Sequence, residues 1–297
     1  MDDFKNRTAV ITGAGSGFGL EFARRAASLG MNVVLADVQA DALDAARDEL
    51  LASGARVKAR VVDVSDASQV EALAVAATQA FGDIHLLFNN AGVGTGGLLW
   101  ENSLADWEWT LGVNLWGVIH GIRAFVPRML AAASAAPHYR GHVVNTASMA
   151  GLMNPPLSGV YNVSKHAVVS LSETLYHDLS LVSEQVHCSV LCPFYVPTGI
   201  NRSHRNRPDT TATPTHSQWL ATAMTDKAVG SGRVSAAEVA AMTFDAIGEN
   251  RFYIASHPKA LDGVRQRADD IVAQQNPTDP FAARAGTRDA MIDALRT

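Results

Sequence analysis

The chain has few cysteines, no excess of basic residues and no long apolar run. Only Cys188 and Cys192 could form a disulfide, and in an extended strand residues four apart are too distant for one. No histidine pair at metal spacing accompanies them, so we expect buried, reduced thiols and no metal site. With 24 Lys and Arg against 29 Asp and Glu, the chain offers no basic surface for nucleic acid.

The lack of a long apolar run excludes a transmembrane helix. The N-terminal residues Met1 to Lys5 are acidic and lack the apolar core of a signal peptide, which predicts a cytoplasmic protein. What the sequence does contain is an ordinary globular composition, with 47% hydrophobic and 18% charged residues. A chain of 297 residues can form one α/β domain, and we expect residues 1–297 to do so.

Seven short apolar runs alternate with helical patterns along the chain. The predicted strands cover residues 8–11, 32–36, 56–62, 84–88, 142–147, 186–191 and 251–255. This alternation is typical of an α/β fold of Rossmann type, with a doubly wound, seven-stranded parallel sheet and helices on both faces. In such a sheet ligands bind at the carboxyl ends of the strands, where Gly13, Asp37 and Asp63 lie.

The first predicted strand ends in a glycine-rich turn, from Thr12 to Gly19, and a helical pattern follows. Because glycines let the backbone approach a pyrophosphate, and a helix N-terminus attracts anions, this turn predicts a dinucleotide site. Asp37 ends the second strand about 20 residues later, the offset of a carboxylate that binds ribose hydroxyls. Asp37 is also suited to cap the helix at 40–51. Its charge repels a 2′-phosphate and Ser16 brings no cation, so NAD is favoured over NADP.

Tyr161 and Lys165 lie four residues apart in a helical pattern, and they therefore share one face of the helix. The ordinary pKa of a phenol is about 10, and a nearby ammonium group lowers it by favouring the phenolate. Such a tyrosine can take a proton from an alcohol or return one to a carbonyl oxygen. On its own, the pair is a weak signal, because both residues are common on helix surfaces and a solvated helix face is the more frequent explanation.

Two further segments have unusual patterns. A helix is predicted over 104–133, with Pro127 kinking or dividing it, and Asn114 inside it is either a buried amide or a polar relay. Residues 194–234 are polar, contain three prolines and lack a clear period, which is typical of a lid or a disordered loop. Residues 257–297 form a predicted helical extension with a break at 276–280.

Taken together and in this order, these motifs resemble those of the short-chain dehydrogenase/reductase family, in its single-domain branch, over about residues 6–255. The resemblance implies four catalytic residues, Asn114, Ser148, Tyr161 and Lys165. The cofactor-binding residues that it implies, together with Asp37, are Gly13, Ser16, Gly17, Phe18, Gly19, Asp63, Val64, Asn90, Ala91, Gly92, Tyr161, Lys165, Pro193, Val196 and Thr198. One motif departs from the family pattern: Phe194 stands where a glycine is usual, which alters the floor of the expected pocket.

The resemblance also implies a mechanism. Tyr161 would be the general acid/base, and Lys165 would lower its pKa and hold the nicotinamide ribose. Ser148 would donate a hydrogen bond to the substrate oxygen, and Asn114 would hold a water that links the lysine to solvent. The expected reaction is hydride transfer between NAD and a secondary alcohol or ketone.

Large apolar side chains near the expected site predict a bulky apolar or aromatic substrate, unless they serve the core. The candidates are Leu98, Trp100, Met149, Leu152, Met153, Pro155, Pro156, Phe194, Tyr195, Trp219 and Met224. Two alternatives remain: an NADPH-dependent ketoreductase of lipid or polyketide type, which Asp37 disfavours, and a dinucleotide sensor without turnover, which Tyr161 and Lys165 disfavour. The family resemblance further implies a homo-oligomer, a tetramer or a dimer, built on the helices around Asn114 and Tyr161.

Overall fold

In the computed structural model, which describes residues 4–208, 213–282 and 286–296, seven strands form one sheet. The strands are β1 Thr8–Thr12, β2 Asn32–Asp37, β3 Arg56–Val61, β4 Leu86–Asn89, β5 Gly141–Thr146, β6 Val186–Cys192 and β7 Tyr253–Ala255. Their order is β3-β2-β1-β4-β5-β6-β7, and every neighbouring pair is parallel. The predicted doubly wound, seven-stranded parallel sheet is therefore confirmed.

Helices connect the strands on both sides of the sheet. They are α1 Gly17–Ser28, α2 Ala40–Ala52, α3 Ala67–Phe81, α4 Leu104–Leu111, α5 Gly117–Ala135, α6 Gly159–Val182, α7 His216–Gly230, α8 Ala236–Gly248, α9 Leu261–Val272 and α10 Thr287–Arg296. Across the described residues, no helix combines the length and the apolar character needed to cross a membrane.

Two large apolar cores, one on each face of the sheet, explain why the central strands have no polar face. Along β1, Ile11 packs with Phe22 of α1 in one core, whereas Val10 packs with Phe125 of α5 in the other. Successive side chains of a strand point to opposite faces, so the central strands β1, β2, β4, β5 and β6 contribute to both cores. This arrangement leaves the carboxyl ends of the strands as the edge where polar groups collect.

The helix predicted over 104–133 is interrupted, but not at the expected residue. A π-helical turn, Gly112–Trp116, separates α4 from α5, and Asn114 lies within it. Pro127 lies inside α5, which continues to Ala135, so the prediction that this proline divides the helix is wrong. A π-turn inserts one extra residue into a helix and often marks a functional site. Here the π-turn directs the Asn114 side chain inward, and Asn114 is fully buried.

The segment 194–234 is more regular than its sequence indicated. It contains a 3₁₀-helix, Ile200–Asn206, and α7, which begins at a capping box formed by Thr215 and Gln218. The expectation of an irregular segment is wrong because α7 buries mainly small side chains and therefore has no apolar stripe. Helices α9 and α10 lie on either side of the break predicted at 276–280. Residues 1–3, 209–212, 283–285 and 297, which belong to the predicted N-terminus, lid and extension, lie outside the described residues.

Candidate active site

A cavity of about 2360 Å³ runs along the carboxyl ends of the strands. Its walls come from the loops after the strands, from the segment 194–234 and from the C-terminal helices. Every catalytic or cofactor-binding residue predicted from the sequence lines this cavity except Gly19 and Asn114. The fold therefore gathers the predicted residues at one place.

The glycine turn after β1 forms a cradle that fits a dinucleotide. Gly13 has a φ of +65°, and a Cβ there would lie 2.8 Å from the Cα of Ala91. A Cβ on Gly19 would lie 2.0 Å from the carbonyl oxygen of Gly13, so no side chain can occupy that position. Ser16 makes no side-chain hydrogen bond to cap α1, which leaves N–H groups at the helix N-terminus free for an anion.

Asp37 holds the glycine turn instead of capping α2. Its Oδ2 accepts a hydrogen bond from the Gly15 N–H at 2.9 Å, and its Oδ1 accepts one from the Gln39 N–H at 2.9 Å. The N-cap of α2 is Gln39, so the capping interpretation of Asp37 is wrong. A carboxylate has about four acceptor positions, and Asp37 therefore keeps acceptors for ribose hydroxyls.

The ends of β1 and β4 are joined by a hydrogen-bonded staple. The Thr12 Oγ1 atom accepts hydrogen bonds from the N–H groups of Asn90 at 2.9 Å and Ala91 at 3.1 Å. In return, Asn90 Nδ2 donates to the Thr12 carbonyl oxygen at 3.0 Å. This staple sets the path of the chain toward Gly92, where a Cβ would lie 3.5 Å from Lys165 Nζ.

Ser148, Tyr161 and Lys165 form one cluster beyond β5. The Ser148 side chain lies close enough to the Tyr161 phenol to lower its pKa, and the Lys165 Nζ atom lies 5.7 Å from the centroid of the Tyr161 ring. Lys165 is 2% exposed, and its Nζ donates a hydrogen bond to the Thr146 carbonyl oxygen at 2.9 Å. The helical spacing of four residues therefore places both groups against the same strand end.

The pKa values in this cluster differ from the expectation that Lys165 lowers the pKa of Tyr161. Burial raises the pKa of Tyr161 to about 12, although the Ser148 side chain lowers it in part. Burial also lowers the pKa of Lys165 to about 8. The expectation is wrong for the protein alone because desolvation, which disfavours the charged form of each group, dominates both shifts. Near neutral pH the phenol is thus protonated, the form that a carbonyl substrate needs.

Both polar atoms of the Asn114 side-chain amide form hydrogen bonds. Its Oδ1 accepts a hydrogen bond from the Val93 N–H at 2.8 Å, while Nδ2 donates to the Val93 carbonyl oxygen and to Ser164 Oγ, each at 3.0 Å. This geometry confirms the interpretation as a buried amide that satisfies the backbone. Because both N–H groups of the amide are occupied, any water between Asn114 and Lys165 would have to donate its hydrogen bond to Asn114.

The unusual Phe194 forms part of the cavity wall. Its ring centroid lies 4.6 Å from that of Tyr195 and 5.7 Å from that of His257. Its backbone N–H donates a hydrogen bond to Ser256 Oγ at 3.0 Å. The aromatic ring therefore bridges the segment 194–234 and the chain after β7, a contact that a glycine could not make.

The prediction of an apolar lining is correct for most of its residues. Met149, Met153, Pro155, Pro156, Phe194, Tyr195 and Met224 line the cavity, whereas Leu98, Trp100, Leu152 and Trp219 do not. Trp100 is 79% exposed and Trp219 is 61% exposed. Lining residues of the C-terminal segment were not predicted; they include Phe281, which precedes α10, and Met291, Ile292 and Leu295 of α10. Nothing in the local sequence shows that these helices fold back over the site.

Arg207 fixes the segment 194–234 to α4. Its guanidinium forms an ion pair with the buried Asp106 carboxylate and lies 5.9 Å from the Trp109 ring centroid. Burial favours a higher pKa for Asp106, but hydrogen bonds from Ser103 and Arg207 outweigh it and hold the pKa below its usual value.

The two cysteines lie on β6, and Cys192 ends that strand close to Lys165. Cys188 and Cys192 are buried free thiols, as expected, and burial raises the pKa of each to about 12. Within residues 4–208, 213–282 and 286–296, no group of three or more His, Cys, Asp or Glu side chains is placed to hold a metal ion.

A dinucleotide cradle that leads to a buried Ser-Tyr-Lys cluster is the arrangement of a nicotinamide-dependent oxidoreductase. Residues 7–209 match the family model described as short chain dehydrogenase. The chain belongs to this family, whose members use NAD or NADP.

Known relatives and structures agree with this assignment. A short chain dehydrogenase/reductase from Burkholderia phymatum, solved in complex with NAD, has a TM-score of 0.92 at 55% identity and covers 95% of this chain and 100% of that one. The 1-deoxy-11-beta-hydroxypentalenate dehydrogenase of Streptomyces exfoliatus is 37% identical over 90% of this chain and 89% of its own length. A CLA biosynthesis dehydrogenase/reductase of Lactiplantibacillus plantarum is 32% identical over 93% of this chain and 97% of its own length.

Proposed function

We propose that the protein is an NAD-dependent dehydrogenase that interconverts bulky, apolar or aromatic secondary alcohols and their ketones. The cluster of Ser148, Tyr161 and Lys165 at the end of the dinucleotide cradle carries this proposal. The apolar lining around Met153 and Phe194 supports the substrate class, because a sugar or polyol would need several polar partners. The name of the hydroxypentalenate dehydrogenase describes oxidation of an alcohol.

In this proposal one set of residues holds the cofactor and another set transfers the proton. The turn from Gly13 to Gly19 holds the pyrophosphate, and Asp37 holds the adenosine ribose. One N–H of Lys165 donates to Thr146, which leaves two N–H groups for the nicotinamide ribose. Bound nicotinamide supplies or accepts the hydride.

The proton moves between the substrate oxygen and Tyr161. During oxidation the ionised Tyr161 side chain, the phenolate, takes the proton of the alcohol hydroxyl, and during reduction the neutral phenol gives a proton to the carbonyl oxygen and becomes the phenolate. The Ser148 hydroxyl donates a hydrogen bond to the same substrate oxygen, where negative charge increases in the transition state. Asn114 is a positioning residue that holds the Val93 backbone beside Lys165.

A panel of substrates tests this function. Wild-type protein would be assayed with NAD and NADP on aromatic, alicyclic and long-chain secondary alcohols, on polyols and sugars, and on the matching ketones with NADH and NADPH. We expect turnover on the apolar compounds and higher kcat/KM with NAD. Turnover on sugars alone would refute the substrate class, higher kcat/KM with NADPH would favour the ketoreductase alternative, and no turnover would favour the sensor alternative.

Substitution of Asp37 tests the cofactor preference. Asp37→Asn keeps the shape of the side chain but removes the charge that repels a 2′-phosphate. We expect the ratio of the Kd values for NADPH and NADH to fall about tenfold, from fluorescence titrations. Asp41→Asn, on the exposed surface of α2, should leave the ratio unchanged. If wild type binds NADPH more tightly than NADH, the role proposed for Asp37 is wrong.

Substitution of Phe194 tests the pocket. Phe194→Ala removes the ring that contacts Tyr195 and His257, and we expect KM for a bulky apolar ketone to rise about tenfold. The Kd for NADH should stay within about twofold of wild type because the backbone contact to Ser256 is kept. Trp219→Ala, outside the cavity, is the control. An equal rise in KM for small and bulky ketones would contradict the role of the ring.

We further propose that copies of the chain associate through the helices around Asn114 and Tyr161. Exposed apolar side chains on these helices, among them Trp116, Val163 and Leu181, support this proposal. Light scattering during size-exclusion chromatography measures the assembly directly, and a monomer at micromolar concentration would refute it.

A further inference from the structure

Arg205 crosses the mouth of the dinucleotide cradle. It lies on the 3₁₀-helix Ile200–Asn206, and its Nε donates a hydrogen bond to Gln39 Oε1, beyond β2, at 2.9 Å. Its Nη1 donates to the carbonyl oxygens of Gly199 at 3.3 Å and Arg202 at 2.9 Å. These three bonds hold the guanidinium between the chain after β6 and the chain after β2.

The remaining nitrogen of this guanidinium, Nη2, belongs to a residue that lines the cavity. Among the described residues, Arg205 Nη2 has no hydrogen-bond partner. A Cβ built on Gly199 would lie 3.6 Å from Nη2 and 4.0 Å from Ser16 Oγ, so both polar groups lie around one point. Ser16 directly precedes α1, whose N-terminal N–H groups are also uncapped. Two N–H groups, a hydroxyl and a helix N-terminus therefore converge at the wall of the cavity.

This set of donors suits a phosphoryl group. A guanidinium binds phosphate oxygens through paired, charge-assisted hydrogen bonds, and a helix N-terminus adds a partial positive charge. The Asp37 carboxylate at the same cradle accepts hydrogen bonds from the N–H groups of Gly15 and Gln39. Arg207 is paired with Asp106, so it does not take this position.

We propose that Arg205 clamps a phosphoryl group of the bound dinucleotide. Its Nη2 donates to a phosphoryl oxygen while Nε keeps its bond to Gln39. The 3₁₀-helix Ile200–Asn206 thereby contacts the cofactor. This inference rests on the proposed function for the identity of the ligand. The phosphoryl oxygens belong either to the pyrophosphate or to the 2′-phosphate of NADP.

Calorimetric titration of the full-length protein with ADP, 2′-AMP and adenosine distinguishes a clamp on the pyrophosphate from a clamp on the 2′-phosphate. We expect Arg205→Gln to raise the Kd for ADP about tenfold and to leave the Kd for adenosine within about twofold of wild type. Arg205→Lys should give an intermediate loss, since it keeps the charge without the planar fork. A loss confined to 2′-AMP would assign the clamp to the 2′-phosphate.

Arg202→Gln is the matched control, because Arg202 lies on the same 3₁₀-helix but its side chain does not line the cavity. It should leave all three Kd values unchanged.

The clamp is refuted if Arg205→Gln binds both phosphate ligands as wild type does, or if Arg202→Gln loses as much affinity. Both the clamp and the proposed function fail if wild type binds neither ADP nor NADH. The clamp alone fails if wild type turns over NAD(H) and Arg205→Gln binds ADP equally well. Arg205 is exposed, and an unchanged melting temperature would show that each variant is folded.

Discussion

Tyr161→Phe is expected to lower kcat about 1000-fold while the Kd for NADH stays within about twofold of wild type. The substitution removes one oxygen atom, the group that exchanges a proton with the substrate. Ser148 can still donate a hydrogen bond to the substrate oxygen, but its ordinary hydroxyl cannot replace the phenol as a base. Turnover with a bulky secondary alcohol and NADH fluorescence titration would be measured on the same preparation.

Tyr176→Phe is the matched control for this experiment. Tyr176 lies on the same helix, α6, and the substitution removes the same hydroxyl from a ring outside the cavity. Its kcat should equal that of wild type. Retention of more than about a tenth of the wild-type kcat by Tyr161→Phe would exclude the phenol as the general acid/base.

Lys165→Met is expected to abolish turnover and, at the same time, to stabilise the folded protein near neutral pH. Burial lowers the pKa of Lys165 from 10.5 to about 8, which means that folding must desolvate a cation. At about 1.4 kcal/mol per pKa unit, this desolvation costs about 3 kcal/mol. Loss of the hydrogen bond to Thr146 offsets about 1 kcal/mol of the gain, so the free energy of unfolding should rise by about 2 kcal/mol.

The pH dependence of the stability gained by Lys165→Met follows from the lowered pKa of Lys165 in the folded protein. Because the pKa of Lys165 is lower in the folded state, the unfolded state binds more protons between about pH 8 and pH 10.5, and wild type becomes more stable as pH rises there. The advantage of Lys165→Met should therefore be complete below about pH 8 and absent above about pH 10.5. Urea denaturation at both ends of this range measures it.

Lys259→Met is the control for stability, because Lys259 is exposed and its replacement should give no such gain. A Lys165→Met protein that is less stable than wild type at neutral pH would show that the buried ammonium is not a cost to the fold. A gain in stability that is independent of pH would show that the charge of Lys165 is not its cause.

The fold was predictable because its signals are local. The central strands are apolar runs buried on both faces, as Val10 and Ile11 of β1 illustrate, and helical patterns separate the strands along the chain. The glycine turn was predictable as well, because the backbone around Gly13 and Gly19 leaves no room for a side chain at either position. Parallel pairing then brings the ends of distant strands to one edge, which is why the residues of the site could be grouped.

The properties that could not be predicted arise from tertiary contacts. The π-turn at Asn114 depends on hydrogen bonds to Val93 and Ser164, which are distant in sequence. The pKa of Tyr161 depends on desolvation, which outweighs the nearby cation that the helical spacing revealed. Helix α7 packs small residues and has no apolar stripe. The ion pair between Arg207 and Asp106 joins segments that no local pattern connects.

The pH dependence of the reaction in both directions tests most directly whether Tyr161 exchanges the proton. For wild type at saturating cofactor, kcat/KM for alcohol oxidation should rise with pH until the phenol is ionised, whereas kcat/KM for ketone reduction should not rise and should fall once it ionises. Ser148→Ala should move both changes to higher pH, because the Ser148 side chain lowers the pKa of Tyr161. Oxidation that is independent of pH, or oxidation and reduction that rise together, would contradict the proposed role of the phenol.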